Sequence, residues 1–167
     1  MIHSMVKKQI DNFSLEQICL SGQCFRMKQE DEEGNRYSLI AGDRYLEIEQ
    51  QGNVCRFYCD EETFEHFWKD YFDLEMDYAD CIGQINPRDT YLVNAAAFGS
   101  GIRILRQDLW EMIVTFLISQ QNNIVRIRRC IQNICEAYGE EQRDGQGRIY
   151  YGFPKPEALA GLDEDAL

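Results

Sequence analysis

The sequence predicts an α+β protein: a twisted antiparallel sheet with covering helices, followed by a run of amphipathic helices. Three observations carry this. Short β-type segments separated by glycine-containing turns fill residues 23–59. An aromatic run at helical spacing follows at 60–72. Beyond Gly99-Ser100-Gly101 the apolar residues recur at i, i+3 and i+4 instead of alternating.

Gln23 to Lys28 is expected as a strand ahead of the acidic loop 29–34. Arg36–Ala41 and Arg44–Glu49 flank Gly42-Asp43 and form a tight hairpin. Gln51-Gly52-Asn53 makes the next turn and Val54–Cys59 the next strand, which completes an antiparallel meander. A helix starting at Asp60 carries Phe64, Phe67, Trp68 and Phe72 and covers the sheet, its rings packing as core. Asp89-Thr90 opens a helix carrying Tyr91, Leu92, Ala95, Ala96 and Phe98. The flexible Gly99-Ser100-Gly101 is taken as a domain hinge. It divides the chain into a sheet domain, 1–98, and the start of a helical domain, 99–167.

Asp108 and Glu111 form a capping-box pattern ahead of Trp110, Ile113, Val114, Leu117 and Ile118, an apolar stripe on one helix. A second helix carries Ile124, Ile127, Ile131, Ile134, Cys135 and Tyr138. Asn122 or Asn123 is its N-cap and Gly139 its stop. A short helical turn follows at 158–161, and Asp163-Glu164-Asp165 resembles the acidic opening of another helix that is begun but not completed.

With 44% hydrophobic residues and 12% aromatics the chain is globular. No run of about 18 apolar residues is present, and no secretory leader is recognisable at 1–14. Seven cysteines without an export signal imply reduced thiols and a cytoplasmic setting. Their spacings, such as Cys55 to Cys59 and Cys130 to Cys135, are not those of zinc or iron–sulfur ligands, so neither a metal nor another cofactor is expected.

The net charge of −12 opposes nucleic-acid binding at first sight. The charge is uneven. Residues 1–97 carry 9 basic and 19 acidic groups, and residues 98–167 carry 8 and 10. Arg103, Arg106, Arg126, Arg128 and Arg129 face only Asp108 and Glu111 in the window 103–129, a candidate local basic face.

The two helices meet at Ser119-Gln120-Gln121-Asn122-Asn123. Amides there offer donors and acceptors to base edges. The helix that follows opens beside Arg126 with free N–H groups and partial positive charge, which stabilises a phosphate. An ordinary solvated turn has the same composition, and the residues alone leave both readings open.

Several motifs in order resemble the N-terminal portion of the 8-oxoguanine DNA glycosylases, a family of the helix-hairpin-helix glycosylase superfamily. They are Leu20-Ser21-Gly22-Gln23-Cys24-Phe25-Arg26, Lys69-Asp70-Tyr71-Phe72-Asp73-Leu74, Gly101 to Asp108, Phe116 to Ile127, and Tyr151-Gly152-Phe153-Pro154. The resemblance implies a sheet domain followed by the first helices of an all-α glycosylase domain. It implies base-excision repair: 8-oxoguanine is flipped out of duplex DNA and its glycosidic bond is cleaved, with AP-lyase activity in the intact protein. The partner it implies is damaged double-stranded DNA, bound by a monomer with no membrane involved.

Site residues follow from the same resemblance. Gly22 is implied to present a backbone carbonyl to the N7–H of 8-oxoguanine. Guanine has no hydrogen there, and one missing partner in a dry pocket costs about 1–3 kcal/mol. On residues alone, Gly22 is equally a turn glycine. Gln121, Asn122 and Asn123 are implied to fill the space left by the flipped base and to contact the opposite cytosine. The first of these is glutamine where many relatives carry asparagine. Arg126 is implied to read that cytosine, whose O2 and N3 accept from a guanidinium fork. Met27 stands where relatives often carry tryptophan.

The family's Schiff-base lysine and assisting aspartate fall beyond residue 167. None of Lys7, Lys8, Lys28, Lys69 and Lys155 sits in a glycine-rich hairpin. The chain is therefore expected to hold no catalytic residue and to be inactive alone. Three alternatives stand beside this reading: a non-catalytic DNA-binding module, a protein-interaction domain, and a glycosylase for alkylated purines.

Overall fold

The structure, a computed structural model, describes residues 4–162. The acidic segment 163–165, expected to open a helix, lies outside them. A five-stranded antiparallel sheet has the order β1-β5-β4-β3-β2, with β1 Val6–Gln9, β2 Met27–Gln29, β3 Arg36–Ala41, β4 Arg44–Gln51 and β5 Val54–Phe57. Strands β2 to β5 form the expected meander, joined at Gly42-Asp43 and Gly52-Asn53. β1 was not foreseen. It pairs antiparallel with β5, Val6 opposite Phe57, and of its four residues only Val6 is buried, so its sequence has no alternation to detect. The strand expected at 23–28 is a correction: regular pairing begins at Met27, and Gln23 lies in a bend.

The helices are α1 Leu15–Leu20, α2 Glu61–Thr63, α3 Lys69–Tyr71, α4 Tyr78–Gly83, α5 Thr90–Phe98, α6 Leu109–Ser119, α7 Ile124–Tyr138 and α8 Pro156–Leu159. A π turn, Phe64–Trp68, runs between α2 and α3. Strands β6 Glu141–Arg143 and β7 Ile149–Tyr151 form a small hairpin.

The chain forms two compact units. Unit 1 comprises the described residues to Cys24, Gln29–Tyr37 and Glu47–Arg106; unit 2 comprises Phe25–Lys28, Ser38–Leu46 and Gln107 onward. The core of unit 1 is aromatic. Phe57 meets Phe64 edge-on with ring centroids 4.8 Å apart, and Phe13 meets Phe72 at 5.5 Å. Phe64, Trp68 and Phe72 are fully buried, as their helical spacing predicts. The glycine-rich segment expected to hinge is fastened inside unit 1, where the Ser14 N–H donates to the buried Gly101 carbonyl at 2.9 Å.

Unit 2 is built on α6 and α7. Ile127, Ile131 and Cys135 of α7 form its core with Phe25, Ile118, Tyr151 and Phe153 packed against them. Cys135 is the small apolar group its position predicts, its thiol pushed up to about 11 by burial. The stripe expected on α6 is only partly covered. Trp110, Val114 and Ile118 are half-buried, whereas Ile113 and Leu117 are exposed together with Met112 and Phe116. The helix is apolar nearly all round, so periodicity could not choose a face. Helix α7 stops at Gly139 as expected, but with φ of −80°. A glycine is needed there for closeness: a Cβ would lie 2.1 Å from the Gly152 carbonyl oxygen.

Candidate nucleic-acid interface

Gly22 belongs to unit 1 and the amide-rich elbow to unit 2. Gly22 directly follows the end of α1. Its φ of +76° is a left-handed conformation that a side chain disfavours, and this reverses the chain as a glycine after a helix commonly does. Gly22 is exposed, and a Cβ there would meet nothing within 4 Å. Among the described residues neither its N–H nor its carbonyl makes a hydrogen bond. The neighbours of Gly22 are held. The Ser21 hydroxyl donates to the Ile18 carbonyl at 2.7 Å. The Gln23 carboxamide donates to the Arg103 carbonyl at 2.9 Å and accepts from the Leu105 N–H at 3.0 Å.

The elbow divides its amides by task. Asn123 is the N-cap of α7, its side chain accepting from the Arg126 N–H at 3.0 Å. Asn122 donates to the Ile118 carbonyl at 3.1 Å and accepts from the Asn123 N–H at 3.0 Å, closing the end of α6. Gln121 differs. It is exposed, has φ of +50°, and its side chain has no partner among the described residues. The Arg126 guanidinium is likewise exposed and unpaired among them. Among the described residues the N–H groups of Ile124 and Val125 are also free, at the positive end of a fifteen-residue helix. Of the four elbow residues singled out in the sequence, two build the bend and two remain available to a ligand.

A buried ion pair fixes the other end of α6. Arg26 and Glu111 lie 3.6 Å apart, with side chains 7% and 8% exposed. Arg26 also donates to the Gly42 carbonyl at 3.1 Å and to the Tyr151 carbonyl, and the Gly42 N–H donates to Glu111 at 2.8 Å. Burial raises the Glu111 carboxyl pKa above its ordinary value, against the downward pull of Arg26. The capping box is thus half realised. Asp108 caps the Glu111 N–H at 2.9 Å, but the Glu111 carboxylate turns away to Arg26 and Gly42. Met27 is fully buried.

The five-arginine basic face is a correction. Arg103 is 4% exposed and donates to the carbonyls of Asp11, Asn12, Asp73 and Met76. Arg106 is bound to Asp73 at 2.7 Å and sits 3.4 Å from Asp70. Both belong to unit 1, and Arg128 is half-buried. Arg126 and Arg129 remain exposed and unpaired among the described residues. Unit 1 also holds a cleft of about 640 Å³ lined by Lys8, Glu65, Lys69, Tyr78 and Arg103 among others, but not by Gly22. Its rim charges pair with one another, Lys8 with Glu65 at 3.2 Å and Lys69 with Glu65 at 3.2 Å.

Residues 5–113 match the family described as 8-oxoguanine DNA glycosylase, N-terminal domain. The N-glycosylase/DNA lyase OGG1 of Arabidopsis thaliana is 26% identical over 151 residues, 87% of this chain and 40% of its own length. The 8-oxoguanine glycosylase/lyase of Clostridium acetobutylicum in its apo form has a TM-score of 0.89 at 38% identity, over 97% of this chain and 56% of that one. The same enzyme with double-stranded DNA containing cytosine opposite 8-oxoG has a TM-score of 0.87 at 36% identity, over 98% and 58%. The chain spans about half the length of these relatives or less. With a match extending over well more than half of its residues, the chain belongs to the 8-oxoguanine DNA glycosylase family.

Proposed function

We propose that the intact protein carries out base-excision repair, flipping 8-oxoguanine from duplex DNA and cleaving its glycosidic bond, with lyase activity on the abasic product. The observation that carries this is the pattern of groups the fold leaves unspent. The Gly22 carbonyl, the Gln121 amide and the Arg126 guanidinium have no protein partner among the described residues, whereas the Gln23, Asn122 and Asn123 side chains beside them are hydrogen-bonded. In this reading the Gly22 carbonyl accepts from N7–H of the lesion, and guanine is rejected because it offers no donor. Gln121, braced by Asn122 and Asn123, enters the vacated space, and Arg126 donates to the unpaired cytosine. The relative in complex with DNA carrying 8-oxoG opposite cytosine supports that substrate.

The division of labour follows the chain. In this reading unit 1 supplies the Gly22 carbonyl and unit 2 supplies the Gln121 and Arg126 side chains. The attacking lysine and its aspartate lie on further polypeptide. The 167-residue chain alone is therefore catalytically silent, and no metal or other cofactor enters the reaction. The protein works as a monomer on cellular DNA, in the nucleoid or a nucleus, where its thiols stay reduced.

Borohydride trapping on a duplex with 8-oxoguanine opposite cytosine tests this. The 167-residue chain should give no covalent adduct, and a longer gene product carrying the helix-hairpin-helix should give one. An adduct with the short chain would place a nucleophile within it and overturn the division proposed here.

A further inference from the structure

We infer that Gln23 is the residue that sets lesion specificity by positioning: its carboxamide holds the Gly22 carbonyl in place for the N7–H donor. This rests on the reading of Gly22 given above. Gln23 itself is not placed against the base.

The argument begins with Gly22. An exposed glycine with no side chain, no hydrogen bond of its own among the described residues and open space around its α-carbon is the least restrained kind of residue. A carbonyl that discriminates by one hydrogen bond cannot wander, since an acceptor that must first be ordered returns part of the binding free energy. Something else must hold it, and both neighbours of Gly22 are held. Ser21 caps α1 with its hydroxyl on the Ile18 carbonyl, and the same oxygen accepts from the Gln23 carboxamide at 3.1 Å.

Gln23 then reaches residues 103–105. Its carboxamide donates to the Arg103 carbonyl and accepts from the Leu105 N–H, at 2.9 and 3.0 Å. Donor and acceptor engage backbone groups two residues apart, as the peptide of a neighbouring strand would. The platform is itself buried and hydrogen-bonded. Arg103 and Leu105 are 4% and 5% exposed. The Arg103 guanidinium is spread over four backbone carbonyls. The Arg106 N–H donates to the Tyr71 carbonyl at 2.9 Å. The Gly22 loop is thus tied through one side chain to a buried, hydrogen-bonded strap of unit 1. No aliphatic or shorter residue at position 23 supplies both contacts.

Two variants separate the contacts. Gln23→Met keeps the length and loses both hydrogen bonds; Gln23→Glu keeps an acceptor for Leu105 and loses the donor to Arg103. Backbone 15N relaxation on the free protein reads the loop directly. The Gly22 amide should show a rigid order parameter of about 0.85 in the wild type and fall below about 0.6 in Gln23→Met, with the rest of unit 1 unchanged. Binding to duplexes containing one 8-oxoguanine or one guanine reads the consequence. The lesion-to-guanine affinity ratio should drop about tenfold in Gln23→Met and less in Gln23→Glu, while affinity for the guanine duplex stays the same. Loss of stability alone would lower both affinities together. A Gly22 amide still rigid in Gln23→Met, or a mobile one with the ratio intact, overturns the inference. If Gln23→Met does not fold, Gln23→Glu decides by the same two readouts. A wild type without lesion preference would defeat the reading of Gly22 instead, and the relaxation measurement would still decide whether Gln23 holds the loop.

Discussion

Gln121 and Asn123 sit two positions apart with similar side chains, yet their environments assign them opposite roles. Asn123 caps α7, and removing a capping side chain costs about 1 kcal/mol. Gln121 makes no such contact, and its left-handed backbone is a cost the fold carries whether the residue is glutamine or alanine. Asn123→Ala should therefore lower the urea midpoint, while Gln121→Ala leaves it unchanged and weakens binding to 8-oxoguanine DNA. Gln121→Asn should raise stability by roughly 0.5 kcal/mol, because asparagine tolerates positive φ better. Equal destabilisation by the two alanine variants would show that the elbow is one structural unit with no free reading group. The sequence could nominate all of these amides, since type and position are visible in it. It could not sort them, because which amide caps a helix depends on where the preceding helix ends. Gln23 was hidden for a related reason: its partners lie 80 and 82 residues away and are backbone groups, which no residue type advertises.

Among the elements, α6 depends on a charge pair placed where water does not reach. Arg26 and Glu111 are both buried, and taking both ions out of water costs more than their attraction returns unless further hydrogen bonds help. The Gly42 and Tyr151 carbonyls and the Gly42 N–H supply those bonds. Burial nevertheless leaves the folded-state pKa of Glu111 raised, so the folded protein holds that proton more tightly than the unfolded chain. Its favourable contribution is complete below the ordinary glutamate value and is lost as pH rises through the folded value. Other carboxylates, such as Asp60, are lowered and act with the opposite sign. The test is therefore a difference. The stability of the wild type relative to Glu111→Gln should decline as pH rises from about 4.5, followed by urea unfolding across that range. A difference independent of pH would mean that Glu111 ionises normally. Strong local signals made elements legible: the Gly42-Asp43 hairpin and the capped, amphipathic α7. Six residues of α1 are too few to show a helical period, and β6 and β7, three residues each, offer no alternation. Glu111 looked like half of a capping box because its partner Arg26 lies 85 positions earlier in the chain.

At the scale of the whole molecule, the proposed binding to DNA depends on the balance of charge. A net charge of −12 repels a polyanion at long range, and the sequence shows this plainly. What the sequence does not show is how many arginines the fold consumes. Arg103 and Arg106 are spent inside unit 1, while Arg143, Arg148 and Lys155 sit against Glu141, Asp144 and Glu140 at 3.3, 2.6 and 3.3 Å. Arg126 and Arg129 on α7 are left exposed and unpaired among the described residues. Each phosphate neutralised contributes about −0.9 to the slope of log affinity against log salt, so the two free arginines of α7 contribute about −2. Arg126→Ala should make that slope shallower by about one if Arg126 meets a phosphate. If it reads the opposite base instead, the slope should stay while the preference for cytosine falls. Fluorescence anisotropy over a salt series, with each base in turn opposite 8-oxoguanine, separates the two. A slope on the order of −5 or steeper would require a cationic surface well beyond α7, and the elbow would then be an accessory to backbone binding, not its centre.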